Sequence, residues 1–292
     1  MVGLWVLAAL LVGALGLSGF AAWWVVGHPE RIRAGLTWLA ERPTVDRVRS
    51  RYPRQWQFLG RRFAPGEAAG LTLTLGVVSV LVLGVGFRQM LDSVQESDGI
   101  AVADRPVLKF LGTHRQPWST TAAEVISNLG SPVGVAVTGL VVGLLLAWWR
   151  RSWLPLLVIV LGGAGIAAIN TTIKHLVGRS RPPQVTAVLG EHGFSFPSGH
   201  TTGTTVVWML SAWMVNRWVI SLRVGRVLVW TVALLMIVTV GVTRIYLGVH
   251  FLSDVLAGWA LGAAWAVTVA LVTRVWEQDP DRSLRRDYAR SA

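Results

Sequence analysis

Residues 153–183 read WLPLLVIVLGGAGIAAINTTIKHLVGRSRPP. The first 21 of them, 153–173, carry no charge. As a helix rising 1.5 Å per residue, that stretch spans roughly 30 Å, the thickness of a bilayer's hydrocarbon core. Lys174, Arg179 and Arg181 then fall within eight residues, and Pro182 and Pro183 stop any further helix. A membrane span that closes on crowded cations raises two questions: how many such spans exist, and which anion the cations meet.

The chain has 292 residues, 53% hydrophobic and only 14% charged, against about 25% charged in soluble domains. The expected fold is therefore all-α, a polytopic transmembrane helix bundle. Seven spans are expected, at about 1–26, 69–87, 132–149, 153–173, 201–218, 227–245 and 250–273. Trp148, Trp149, Trp153, Trp218 and Trp276 stand at the expected ends, where interfacial belts place tryptophan. The first span could instead be a secretory signal, with small residues in SGFAAW. It lacks a positive leading region, and arginines follow it, so a retained helix is the expectation. No cysteine is present, which excludes disulfides, thiolate catalysis and Cys-based metal sites.

The formal charge of +12 is distributed by topology. If the spans alternate, 28–66, 150–152, 217–226 and the tail share one side and hold nineteen of the 27 basic residues. The positive-inside rule makes that side cytoplasmic, giving an N-out/C-in chain in the plasma (cell) membrane. The basic excess then implies contact with membrane lipids and anionic headgroups, not nucleic acid. The expected units are 1–66, an N-terminal span and basic linker; 67–131, a first core helix and polar outer segment; 132–273, the membrane core; and 274–292, a basic tail. Within the second, Val102–His114 is expected to form an amphipathic helix on the bilayer surface, and 88–131 could act as a lid.

Three separated groups of residues fall at one membrane level on the outer side. Lys174 and Arg181 could be snorkelling span ends, but a proline-stiffened loop carrying a guanidinium suits a fixed grip on phosphate oxygens. Ser198, Gly199 and His200 follow Pro197 at the mouth of the fifth span. Ser198 reads as an N-cap. The same helix mouth offers free N–H donors and a positive dipole end to an anion, and Gly199 permits close approach. His250 and Asp254, spaced i, i+4, share a helix face, so the carboxylate can take the Nδ1 proton and leave Nε2 its lone pair. A metal reading of this pair is opposed by the cations Lys174, Arg181 and Arg244 around it.

Lys174 to Arg181-Pro182 in KHLVGRSRP, Pro197 to His200 in PSGH, and Arg244 to His250 to Asp254 in RIYLGVHFLSD together resemble the three-part signature of the type 2 phosphatidic acid phosphatase superfamily. One position departs from it: Thr243 stands where serine is usual. The resemblance covers roughly 132–273 and leaves 1–66 unaddressed. It implies a six-helix phosphatase core plus one extra N-terminal transmembrane helix. It also implies that His250 attacks phosphorus to form a phosphohistidine, that Asp254 orients it, and that His200 protonates the leaving oxygen and then activates water. Lys174, Arg181, Ser198, Gly199 and Arg244 would hold the phosphoryl oxygens, with no metal and no cofactor.

The expected activity is metal-independent hydrolysis of a lipid phosphate or diphosphate at the outer face. Undecaprenyl (polyprenyl) diphosphate is the leading substrate, since an outer site suits carrier-lipid recycling; phosphatidylglycerophosphate and phosphatidic acid are the alternatives. A haloperoxidase would reuse the anion site for vanadate, which seven apolar spans disfavour. A lipid-phosphate transporter would be expected to show repeats and midplane sites, and the sequence shows neither.

Overall fold

The computed structural model describes residues 68–183 and 187–277, which form eight α-helices and no strand. These are α1 (Ala68–Glu96), α2 (Asp104–Thr113), α3 (Pro117–Leu129), α4 (Pro132–Arg150), α5 (Leu154–Val177), α6 (Gly199–Trp218), α7 (Arg223–Tyr246) and α8 (Leu252–Glu277), with a 3-10 turn at Gly99–Ala103. The expected span at 1–26, the basic linker and the tail beyond 277 lie outside the described residues.

Five of these helices are long and apolar enough to cross a membrane: α4, α5, α7, α8 and the Gly76–Glu96 part of α1. The expected count of seven is thus five among the described residues. Helix α6 accounts for one of the differences. It has 20 residues, but Thr201, Thr202, Thr204 and Thr205 make its first turns polar. Those threonines are buried, because α6 is the central helix, packed against α4, α5, α7 and α8. Three of the four hydroxyls are satisfied within the protein: Thr201 Oγ1 donates to Ser198 Oγ at 2.9 Å, and Thr202 Oγ1 and Thr205 Oγ1 donate to the Ser198 and Thr201 carbonyls, both at 2.7 Å. A buried hydroxyl bonded this way escapes the cost of an unmet polar group.

Small residues set the helix spacing. A side chain at Gly262 of α8 would meet the Thr202 carbonyl and Thr205 Cβ at 2.8 Å, and one at Gly139 of α4 would meet Ile159 at 2.8 Å. The Gly258–Gly262 and Gly139–Gly143 pairs are therefore seams between α8 and α6 and between α4 and α5, serving close packing inside the protein. Leu146, Val158, Ile159, Ile166, Val206, Leu210 and Met214 fill the space between these helices. Outward, Leu81, Val82, Leu144, Leu145 and Trp148 are exposed, as lipid-facing side chains are.

The segment between α1 and α4 packs on the bundle. Helix α2 forms within the stretch expected to be amphipathic, and it turns Leu108 and Leu111 inward with Asp104. Leu111 packs with Ala123 of α3 and with Ile245, Leu247, Val249 and Val255 around the α7–α8 turn. Leu108 and Leu111 are thus spent on the protein, while Val102 and Phe110 of the same stretch stay exposed.

Candidate active site

Two glycines turn the chain into the site. Gly178 ends α5 in the left-handed region at φ 64°, its N–H on the Lys174 carbonyl, and so swings Arg179 and Arg181 back over the helix ends. Gly248, at φ 75°, reverses the chain between α7 and α8 and delivers His250 just ahead of α8.

His250 and Asp254 are buried, and the imidazole Nδ1 lies 3.3 Å from the Asp254 Oδ2. That oxygen also accepts the Phe251 N–H at 2.9 Å. On the other ring edge, Arg181 Nη1 is 3.1 Å from His250 Nε2. A guanidinium can only donate, so Nε2 is the acceptor and Nδ1 carries the proton that goes to Asp254. Burial pushes the His250 pKa down to about 4, more than its Asp254 partner restores. At neutral pH the ring is uncharged, with its lone pair on the Arg181 side.

Helix α6 opens with Ser198 as its N-cap, whose hydroxyl accepts from the Thr201 N–H at 3.4 Å and from Thr201 Oγ1 at 2.9 Å. Gly199 and His200 follow in the first turn. A side chain at Gly199 would find only Asn170 Oδ1, at an ordinary 3.5 Å, so the protein's own packing does not require glycine there. Asn170 Nδ2 donates to Thr202 Oγ1 at 3.1 Å and ties α5 to this end of α6.

Of the eight residues nominated from sequence, Lys174, Arg181, Gly199, His200 and His250 line one cavity of about 580 Å³. Ser198, Arg244 and Asp254 do not line it; they are buried around it. Lys174 Nζ donates to the Phe194 carbonyl at 2.5 Å. Arg244 Nη1 donates to Ser127 Oγ of α3 at 2.6 Å.

Three charged residues of the site escaped the sequence reading in whole or in part. Glu191 lines the cavity and joins its two arginines, pairing with Arg244 and with Arg181 Nη2 at 3.1 Å. Burial alone would raise its pKa, but the charge and hydrogen bond of Arg244, followed by His200 and Arg181, hold it below the usual carboxylate range. An anion thus already sits between the two guanidiniums. Arg179, which falls outside the three-part signature, bonds Asp254 Oδ1 at 2.5 Å and Asp104 Oδ2 at 2.6 Å. Asp104 is the third. All three have sequence-distant partners, so no spacing marks them.

A buried imidazole–carboxylate pair, a helix mouth and converging arginines thus meet in one place, and the chain is similar to known proteins. The model of the PAP2 superfamily matches residues 151–278. Phosphatidylglycerophosphatase B of Bacillus subtilis is 30% identical over 176 residues, covering 60% of this chain and 86% of that protein. The chain belongs to the PAP2 superfamily. It is a membrane phosphatase, and so a hydrolase, of that family. Decaprenylphosphoryl-5-phosphoribose phosphatase of Mycobacterium tuberculosis is 31% identical over 153 residues, 51% of this chain and 77% of that one. The crystal structure of a transmembrane PAP2 type phosphatidylglycerolphosphate phosphatase from Bacillus subtilis superposes with a TM-score of 0.62 at 28% identity, covering 66% of this chain and 94% of that one. The PAP2 match takes in Lys174, the PSGH run and the His250–Asp254 pair, and stops short of α2, where Asp104 lies.

Proposed function

We propose that this PAP2 protein hydrolyses the terminal phosphoryl group of a membrane-embedded lipid phosphate or diphosphate through a phosphohistidine on His250, without a metal. The observation that carries the reading is the continuity of one cavity. Lys174, Arg181, His200 and His250 share it with Val135, Leu140, Ile159, Val160 and Val207, on facing sides of α4, α5 and α6. A phosphate needs the first surface and a hydrocarbon chain the second.

In this reaction the Nε2 lone pair attacks the terminal phosphorus, and its bond to the oxygen that joins it to the rest of the substrate breaks, the bridging oxygen in a diphosphate and the lipid's own in a monophosphate. His200, which takes up a proton as the anionic substrate binds beside it, supplies that proton to the leaving oxygen. Asp254 holds the Nδ1 proton and balances the positive charge that grows on the ring. Water then gives a proton to His200 and attacks phosphorus, the P–N bond breaks, and phosphate leaves with His250 restored. Lys174, Arg181, Arg244 and the Gly199 N–H at the mouth of α6 stabilise the phosphoryl oxygens. Preorganised donors of this kind are worth about 2.7–4 kcal/mol each in comparable sites, and acid–base help from His200 about 10²–10⁴ in rate. Glu191 gives up its arginines to the incoming phosphate, one anion replacing another.

Arg150, Arg151, Arg217, Arg223, Arg226 and Arg274 occupy the helix ends remote from His250, which supports placing the site on the extracytoplasmic side of the plasma membrane. A polyprenyl diphosphate such as undecaprenyl diphosphate suits that side. Phosphatidylglycerophosphate is the second reading, favoured by the likeness to the Bacillus subtilis enzyme.

The test is phosphate release by purified protein from polyprenyl diphosphate, phosphatidylglycerophosphate and phosphatidic acid in EDTA. Turnover is expected with the first, abolished by His250→Ala and strongly reduced by His200→Ala. Full activity in His250→Ala would remove the nucleophile from the scheme, and complete loss in EDTA would return the reaction to a metal.

A further inference from the structure

Asp254 uses both carboxylate oxygens, and only one faces the nucleophile. Its Oδ2 takes His250 and the Phe251 N–H, while its Oδ1 takes Arg179 Nη1 at 2.5 Å. The same Arg179 nitrogen reaches Ser253 Oγ at 2.8 Å, and the other, Nη2, reaches Asp104 Oδ2 at 2.6 Å. Asp104 belongs to α2, 149 residues from Ser253, whose N–H it accepts at 2.9 Å and whose hydroxyl it accepts at 2.6 Å. Arg179 also lies over the Phe251 ring, 4.3 Å from its centroid. Both carboxylates are almost wholly buried, at 2% and 0% side-chain exposure.

We infer that Asp104 and Arg179 are positioning residues for the phosphoryl-transfer reaction, forming with Asp254 and His250 a four-member chain that aims the nucleophile and sets its charge. The inference rests on the function proposed above, with His250 as nucleophile.

The chemistry follows from counting charges. Two buried carboxylates share one guanidinium, so Asp254 keeps enough negative charge to hold the Nδ1 proton but not enough to draw His250 into the imidazolium state. A planar guanidinium, fixed at both ends and stacked on Phe251, restricts the Asp254 carboxylate about its own axis, so Oδ2 stays on the imidazole. Asp104 adds a second function: it accepts the free Ser253 N–H in the first turn of α8, the helix that carries Asp254. The segment between α1 and α4 thereby reaches the catalytic centre through one side chain.

The charged groups around His250 are Asp254 from α8, Arg244 from α7, His200 from α6, and Arg181 and Glu191 from the α5–α6 connection, with Lys174 of α5 beyond. Removing Arg179 leaves Asp254 less neutralised, so the imidazolium gains and the acid limb of the rate profile should move to higher pH. Removing the charge of Asp104 frees Arg179 for Asp254 alone and should move the limb down or leave it.

The experiment uses the full chain in detergent, with the wild-type protein first shown to release phosphate from polyprenyl diphosphate or phosphatidylglycerophosphate. Arg179→Met is expected to lower kcat about 100-fold, to leave KM within about threefold, and to raise the acid limb by about one pH unit. Arg179→Lys should recover part of kcat and return the limb towards wild type, and Asp104→Asn should lower kcat about tenfold without raising the limb. If Arg179→Met does not fold, the double variant Asp104→Asn/Arg179→Met, which removes the charge mismatch, should fold yet remain slow. Variants with unchanged kcat, or losses of activity with an unmoved acid limb throughout, overturn the inference. A wild-type protein inactive on every lipid phosphate would instead overturn the function on which it rests.

Discussion

The main-chain N–H of Ser198 donates to the main-chain carbonyl of Asp254 at 3.1 Å. This one bond joins the cap of α6 to the first turn of α8, and so fixes His200 relative to His250. Side-chain rotation cannot break it. Two groups proposed to act in sequence on one phosphorus are thus held by backbone, on two helices packed directly against each other.

The Ser198 hydroxyl serves the cap and is fully buried. Ser198→Ala should therefore cost about 0.5–2 kcal/mol of stability, read as a lower melting temperature in detergent. The catalytic loss should stay below about tenfold, with KM for the lipid phosphate within about twofold. A large rise in KM at unchanged stability would place the hydroxyl on the phosphate instead.

Glu191 neutralises two guanidiniums that otherwise face each other, Arg181 and Arg244. Breaking such a buried pair by removing one partner costs about 3–5 kcal/mol, less here because Glu191 is partly exposed. Glu191→Gln should melt lower than wild type without ligand and recover more than wild type when inorganic phosphate is added, since phosphate then fills an uncompensated cationic gap. Equal phosphate shifts in the two proteins would show that the carboxylate and phosphate do not compete.

His250 should stay neutral far below the usual imidazole range. Its pKa is held near 4 by burial, so its lone pair is available throughout the neutral range and is lost only as pH falls towards that value. The check is a ¹⁵N imidazole resonance, assigned by its disappearance in His250→Ala and followed on acidification. Titration near 6.5 would mean that water reaches the ring. Asp254→Asn removes the carboxylate that fixes the Nδ1 proton, and kcat should fall by about 10⁴, as in other imidazole–carboxylate pairs.

Spans and motifs were legible because both are local. The 21 uncharged residues 153–173 before Lys174, or a four-residue step from His250 to Asp254, can be read without knowing what lies opposite. Ser198 as a cap was equally local. Helix α6 was found at its place, but its threonines acquire meaning only from burial among four neighbours. Asp104 and Glu191 were not legible, because an acidic residue in a polar stretch reads as solvated. Their partners stand 75 and 53 residues away in the chain. Arg179 differed from Arg181 by two positions, and only the fold shows that one turns towards Asp254 and the other towards the Nε2 of His250.

The apolar part of the cavity makes the last prediction. Ala164 of α5 lines it opposite Val135 and Leu140, one or more turns below Lys174. If a hydrocarbon chain lies there while its phosphate meets His250, filling the space should weaken lipid binding and spare the chemistry. Ala164→Trp is expected to raise KM for a long-chain polyprenyl diphosphate or phosphatidylglycerophosphate at least tenfold. Hydrolysis of a short, water-soluble phosphate monoester should change less than twofold, because the cationic end is untouched. The paired assay is what discriminates: a bulky residue that merely disturbed α5 would shift Lys174 and slow both substrates together. Equal losses would therefore move the lipid chain elsewhere, and unchanged KM for the lipid would show that this wall is not where it lies.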